Sequence, residues 1–232
     1  MAQERQGDPI LGYYFRDLFL MGQTEASHLY LIRHAQSESN TGEASLFSDP
    51  GLTQVGQEQA RRLAQRLARQ GIDLLYSSPL RRALATAQVI ARATGLPVQT
   101  LEELREVGIG VVGDPPRVSP EQAAAIKERI LRQGSWDAFP ESEGSEAVRR
   151  RVVQAFDRLI AHCSGQRVAV VAHAGVIQTY VSHVLGLERD FIFYPFNASI
   201  TSIRALGDRR VLWRLNDIAH LDGLPPGFDG IS

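Results

Sequence analysis

His28-Leu29-Tyr30-Leu31-Ile32-Arg33-His34-Ala35-Gln36-Ser37-Glu38-Ser39-Asn40 (HLYLIRHAQSESN) decides how the chain is read. Four apolar residues, Leu29 to Ile32, make a short run of the kind found in buried strands. The run turns abruptly polar at Arg33 and His34 and stays polar through Asn40. A buried strand that ends in an Arg-His pair holds an imidazole in an electropositive setting.

The rest of the chain repeats this layout. Thr53 is placed to cap a helix to about Gln70, with Ala60, Leu63, Ala64 and Leu67 as its apolar stripe and Gly71 as its stop. Ile72 to Ser77 reads as a second buried strand. Ser78-Pro79 reads as the start of a helix to Thr94, and Pro97 to Leu101 as a third strand. Ser119-Pro120 opens another helix, ending near Gly134, and Ser145 to His162 is a further one. Arg167 to Ala172 is the cleanest buried strand; it ends at His173, and a helix is expected from Gly175 to about Leu185. Ser199 to Leu206 and Arg210 to Leu215 form an expected strand pair around Gly207-Asp208. Strands alternating with helices predict an α/β chain, a three-layer α/β/α sandwich around a mostly parallel sheet.

At 232 residues the chain suits one substantial domain. The expected division is an N-terminal extension over 1–27, one domain over 28–220 and a C-terminal tail over 221–232. The net charge of -1 offers no bulk field for nucleic acid or an anionic membrane, so neither is an expected partner. No run has the length of a membrane-spanning helix. The single cysteine, Cys163, excludes an intrachain disulfide and a cysteine zinc site, and the simplest home is a reducing cytoplasm. Ile10 to Met21 is fairly apolar but is interrupted by Arg16 and Asp17, without the frame of a signal peptide. A helix is expected around Pro9 to Met21, in an extension packed on the domain or on a second subunit, which leaves a homodimer open; Met21 is an alternative start.

In doubly wound sheets, ligands bind beyond the carboxyl ends of the strands. Arg33-His34 sits at one such end, Arg81-Arg82 just past a second and His173 at a third, with Glu106 a few residues past the strand at 97–101. Alone, each has a bland explanation: a histidine after a strand is more often structural, and a loop glutamate usually faces water. Together they suit a phosphate. Arginine forks match phosphate oxygens, and a helix beginning at Gly175 can aim free N–H groups at an anion. A neutral imidazole is a nucleophile towards phosphorus, and neighbouring cations keep it neutral. A carboxylic acid can protonate the leaving oxygen and then activate water. The same His, His and Glu could instead ligate a metal, but the arginines beside them repel a divalent cation.

These strings resemble the histidine phosphatase superfamily, also called phosphoglycerate mutase-like. Arg33-His34-Ala35-Gln36-Ser37-Glu38-Ser39-Asn40 is similar to its Arg-His-Gly-x-Ser/Thr-x-x-Asn hallmark, with Ala35 in place of glycine. Leu52-Thr53-x-x-Gly56-x-x-Gln59-Ala60 resembles a second family string. Tyr76-Ser77-Ser78-Pro79-Leu80-Arg81-Arg82-Ala83, with Thr86-Ala87, resembles a third and selects Arg82 over Arg81. Leu104-Arg105-Glu106 with Gly110 selects Glu106 over Glu102 and Glu103. Val170 to Gly175 resembles the second-histidine string, and Asn197 to Thr201 a late family strand. The resemblance spans residues 28–220. It implies that His34 is the phosphorylated nucleophile and that Arg33, Asn40, Arg82 and His173 hold the phosphoryl group. It further implies Glu106 as proton donor and then base, a small phosphorylated substrate, and no metal or other cofactor. The expected activity is phosphomonoester hydrolysis. The alternatives are a phosphoglycerate mutase using the same phosphohistidine and a non-catalytic phospholigand-binding module. The stretch Val107 to Pro116 lacks the acidic and aromatic residues frequent there, so no relative's substrate transfers through it.

Overall fold

The structure, a computed structural model, describes residues 9–41, 49–109 and 119–224. Six strands form one sheet in the order β3-β2-β4-β1-β5-β6. They are β1 (Ser27–Arg33), β2 (Leu74–Ser77), β3 (Val98–Thr100), β4 (Arg167–Ala172), β5 (Ile200–Leu206) and β6 (Arg209–Asp217). The first four are mutually parallel, and β5 and β6 add an antiparallel edge. The helices are α1 (Pro9–Leu18), α2 (Gln54–Gln70), α3 (Arg81–Thr94), α4 (Pro120–Gln133), α5 (Ser145–His162) and α6 (Ala174–Val184).

The period-2 alternation of strand side chains divides the core into two. Leu29 and Leu31 of β1, with Val168 and Val170 of β4, face Val152 and Phe156 of α5 and Val176 and Tyr180 of α6. Tyr30 and Ile32, with Ala169 and Val171, face Leu63 and Leu67 of α2 and Ala87 and Ile90 of α3. Continuously apolar strands are thus buried on both sides, as the sandwich requires.

Most expected elements stand within a residue or two of their limits. Thr53 caps α2 by accepting from the Gly56 N–H, and Gly71 ends it at φ 63°. Two elements differ in detail. β2 starts at Leu74 rather than Ile72. α3 does not begin at Ser78-Pro79: its capping residue is Leu80, which has no capping side chain. The carboxylate of Asp49, remote in sequence, accepts from the Arg81 N–H at 2.9 and 3.0 Å in its place. A distant acid answers the helix dipole there, and Ser78 is released for another task. The expected helix at Pro9 to Met21 is present as α1 and ends at Leu18. Residues 42–48 of the expected loop, Gly110 of the Glu106 string and the tail from 225 lie outside the described residues. Among the described residues no helix is long and apolar enough to cross a membrane.

Candidate active site

The parallel strands end together, and their ends bring the sequence candidates into one pocket. Arg33, His34, Ser39, Asn40, Arg82, Glu106, Val107, Ile109 and Trp136 line a cavity of about 190 Å³. His173 lies behind it, fully buried, with its ring centroid 5.1 Å from that of His34.

His34 is held through its backbone from every side. Its N–H donates to Ala172 O of β4 at 2.9 Å, and its carbonyl accepts from Asn197 Nδ2 at 3.0 Å and Ala198 N at 3.2 Å. The next N–H, of Ala35, donates to Thr86 Oγ1 of α3 at 3.1 Å, and that of Gln36 to Gln59 Oε1 of α2 at 2.9 Å. At Gly56 the α2 backbone passes so close that an added Cβ would stand 1.9 Å from the Gln36 carbonyl oxygen. Only glycine fits there. The polar strings around Thr53, Gly56, Gln59 and Thr86 therefore position the loop that follows His34 and are not among the residues that line the cavity.

The His34 ring has one assignable tautomer. Nδ1 lies 2.8 Å from Ala35 O, and a carbonyl can only accept, so Nδ1 carries the proton. Nε2 is then a bare lone pair, 3.2 Å from Arg82 Nε, which donates to it. Burial, reinforced by the Arg82 and Arg33 charges, holds this imidazole well below the usual histidine range. It is neutral and nucleophilic at neutral pH.

Arg33 and Arg82 are both nearly buried. Arg33 Nη1 donates to Pro195 O at 2.7 Å and its guanidinium lies over the Tyr194 ring, 4.9 Å from the centroid, while its buried Nε has no partner. Arg82 Nη1 is 3.6 Å from Asp49 Oδ1. Asn40 spends its carbonyl oxygen internally, accepting from Ser37 N, Ser37 Oγ and Asn197 Nδ2 at 3.0 to 3.2 Å. The amide NH₂ is the end it leaves for a ligand. His173 Nε2 is 2.8 Å from Ser78 Oγ, and its buried Nδ1 has no partner. Burial, with the neighbouring His34, Arg82 and Arg33, pushes the His173 pKa well down.

Glu106 follows β3 after a short 3-10 turn over Glu102–Leu104. Its Oε1 accepts from Val107 N at 2.9 Å and from Gly175 N at 3.1 Å. One N–H of the first turn of α6, that of Gly175, is thus taken by this carboxyl, which corrects the expectation that this N–H is free for an anionic ligand; α6 itself begins at Ala174. Burial raises the Glu106 pKa, against the lowering pull of these bonds and of Arg82 and Arg33. Arg81, Glu102 and Glu103 do not line the cavity. Ser78 and Asn197 were not singled out for these contacts. The Ser-Ser-Pro string and the Asn197 string carried the signal, but only their three-dimensional partners give it meaning.

Among the described residues, no group of three or more His, Cys, Asp and Glu is arranged to hold a metal ion. A neutral imidazole beside two guanidinium groups, faced by a carboxyl able to give and take a proton, is equipped for phosphoryl transfer.

Known proteins are similar to this chain in sequence and in fold. A candidate phosphoserine phosphatase 2 of Hydrogenobacter thermophilus is 33% identical over 198 residues, covering 83% of this chain and 96% of its own. A candidate phosphoglycerate mutase of Yersinia pestis is 34% identical over 163 residues, 68% of this chain and 75% of its own. The crystal structure of a phosphoserine phosphatase from Entamoeba histolytica in complex with phosphoserine superposes with a TM-score of 0.72 at 26% identity, covering 84% of this chain and 99% of that one. The same enzyme has been solved with 3-phosphoglyceric acid. Residues 29–218 match the model of the histidine phosphatase superfamily, branch 1, and the chain belongs to that superfamily of enzymes.

Proposed function

We propose that this enzyme hydrolyses small phosphomonoesters through a phosphohistidine at His34, with residues 28–220 as the catalytic domain. One observation carries the reading: the Nδ1–H of His34 is locked to Ala35 O, which leaves Nε2 unprotonated and accepting from Arg82 Nε, in the same cavity as a carboxyl with a raised pKa.

The steps follow from these groups. Arg33, Arg82, the Asn40 amide and an Nδ1–H of His173 hold the phosphoryl oxygens and neutralise the charge that develops on them. His34 Nε2 attacks phosphorus as the ester P–O bond breaks. Glu106, protonated, gives its proton to the departing alcohol oxygen. The resulting carboxylate then takes a proton from water, whose oxygen attacks the phosphohistidine. The P–N bond breaks, inorganic phosphate leaves, and His34 and Glu106 return to their starting states. No step calls for a metal, so chelation with EDTA is expected to leave turnover intact.

A small phosphorylated metabolite is the substrate class supported by relatives that act on or bind phosphoserine and 3-phosphoglycerate. The relative bearing a mutase name supports a second reading, in which the phosphoryl group returns to the substrate. Incubation with 3-phosphoglycerate separates the two, because isomer interconversion marks a mutase and phosphate release a hydrolase. For the mechanism itself, His34→Ala is expected to lose turnover of an aryl phosphate and the acid-labile phosphoenzyme while keeping its circular dichroism. Wild-type turnover in that variant would overturn it.

A further inference from the structure

The side of the cavity where the alcohol departs is apolar. Val107, Ile109 and Trp136 line it beside Glu106. Their closeness to the acid can be read at Gly175. A Cβ built there would stand 2.6 Å from Glu106 Oε1, 2.6 Å from Val107 Cγ2 and 2.9 Å from Trp136 Cζ2. The group that protonates the leaving oxygen is therefore flanked by a valine methyl and an indole edge. Carbons attached to that oxygen enter the same cavity that Val107, Ile109 and Trp136 line.

The wall is also built to stay apolar. The Trp136 indole N–H donates to the buried Thr179 Oγ1 at 3.3 Å, so the ring's one polar atom is occupied inside the protein. The ring meets Phe191 edge-on at 4.5 Å and stacks at 6.1 Å with Phe139. This packing fixes its position. Val107 is 6% exposed and packs into the core cluster that also holds Trp136.

We infer that the enzyme prefers phosphomonoesters of apolar alcohols over zwitterionic or carboxylated ones, with Val107, Ile109 and Trp136 as its specificity-determining residues. The inference rests on the hydrolase reading and departs from the phosphoserine and 3-phosphoglycerate that its relatives' names and complexes carry. An alkyl or benzyl group gains by leaving water at this wall. An ammonium or carboxylate on the same carbons loses hydration and meets no partner on Val107, Ile109 or Trp136.

The test uses the full chain and alkyl esters, since aryl phosphates react faster for reasons unrelated to binding. kcat/KM is measured for ethyl, butyl, hexyl and benzyl phosphate, with phosphoserine and 3-phosphoglycerate alongside. It is expected to rise roughly tenfold or more from ethyl to butyl, the size expected for two methylenes leaving water. Both carboxylated esters are expected at or below the ethyl ester. Ile109→Asp, at the half-buried rim, is expected to flatten the series, and Trp136→Leu to lower the benzyl-to-ethyl ratio. A flat wild-type series, or either carboxylated ester ahead of ethyl phosphate by tenfold, overturns the inference while leaving phosphate release and the phosphohistidine intact. Absence of a phosphohistidine with every ester would instead overturn the hydrolase reading, and this inference with it.

Discussion

The two halves of the pocket are built in opposite ways. The phosphoryl half is polar, and strand ends deliver it: β1 supplies Arg33 and His34, β2 leads into Arg82, and β4 ends at His173. Its groups are tied to the sheet by backbone hydrogen bonds, as at His34. The leaving-group half is apolar. It comes from a loop residue pair, Val107 and Ile109, and from Trp136 in a turn some thirty residues on, held by ring packing. A hydrogen-bonded strand end fixes atoms within the tolerance that phosphoryl transfer demands. A hydrophobic wall needs only shape and apolarity, and can change without disturbing the chemistry. On the proposed reading, reaction and selectivity fall to separable parts of one cavity, which meet at Glu106 and Gly175.

Beyond the loss of His34, the largest effect is expected at the acid. Glu106→Gln keeps the shape of the side chain but removes the proton. A loss of roughly 10³-fold in kcat for an alkyl ester is expected, within the range typical of a positioned general acid. The pH profile sharpens this. His34 must be neutral, and burial with Arg82 and Arg33 lowers its pKa, so activity climbs as pH rises through that depressed value. Glu106 must be protonated, and burial raises its pKa, so activity falls as pH rises through that elevated value. The product is a bell whose acid limb lies below the ordinary histidine range and whose alkaline limb lies above the ordinary carboxylate range. In Glu106→Gln the alkaline limb is expected to vanish, and an aryl phosphate, whose phenol leaves readily, should suffer far less than an alkyl one. Equal losses on both esters would break the assignment of Glu106.

Gly175→Ala strikes where the halves meet. Its Cβ would find Glu106, Val107 and Trp136 all closer than 3.0 Å, so the acid and the wall must both shift. The expected result is a loss of roughly 10²-fold in kcat/KM, because small misplacements of a catalytic group are that costly. The preference between butyl and ethyl phosphate should also change. Overpacking of this kind destabilises by about 1–3 kcal/mol, so a thermal melt should show a lower but cooperative Tm. Activity lost with an unaltered ester preference would mean that the two halves do not share this contact.

The polar half was legible in the sequence and the apolar half was not, for a physical reason. Arg33-His34 and His173 follow directly on continuous apolar runs and Arg82 lies a few residues past another, and an apolar run broken by an abrupt charge is a local signal. Gly56 was visible as a string element, but its role appears only when α2 passes within contact of the Gln36 carbonyl. The start of α3 was misplaced because Ser78-Pro79 has the local chemistry of a cap, while Asp49, remote in sequence, does the capping. The grip of α6 on Glu106 was likewise hidden, since nothing near Gly175 announces which acid will arrive there. Trp136 carried no signal at all: an indole in a loop reads equally as packing or as pocket, and only its closeness to Glu106 decides.

The smallest effect concerns Ser78, which the helix-cap expectation had misassigned. Its Oγ lies 2.8 Å from His173 Nε2 and accepts from Leu80 N at 3.3 Å. The proposed phosphate grip needs the His173 proton on Nδ1, the nitrogen left without a partner, and a Ser78 hydroxyl that donates to Nε2 supplies that arrangement. Ser78 is then a positioning residue that chooses the tautomer. Its own N–H still donates to Val171 O at 2.9 Å whatever the side chain, so the backbone should survive substitution. Ser78→Ala removes one neutral hydrogen bond, worth about 1 kcal/mol, and is expected to lower kcat/KM roughly five- to tenfold. The loss should be equal for ethyl, butyl and benzyl esters, because His173 belongs to the phosphoryl half alone. Ser78→Thr, which keeps the hydroxyl, should restore most of it. A purely structural serine would lower the Tm and leave kcat/KM unmoved, whereas a loss that varied with the alcohol would show that the division between the two halves does not hold at His173.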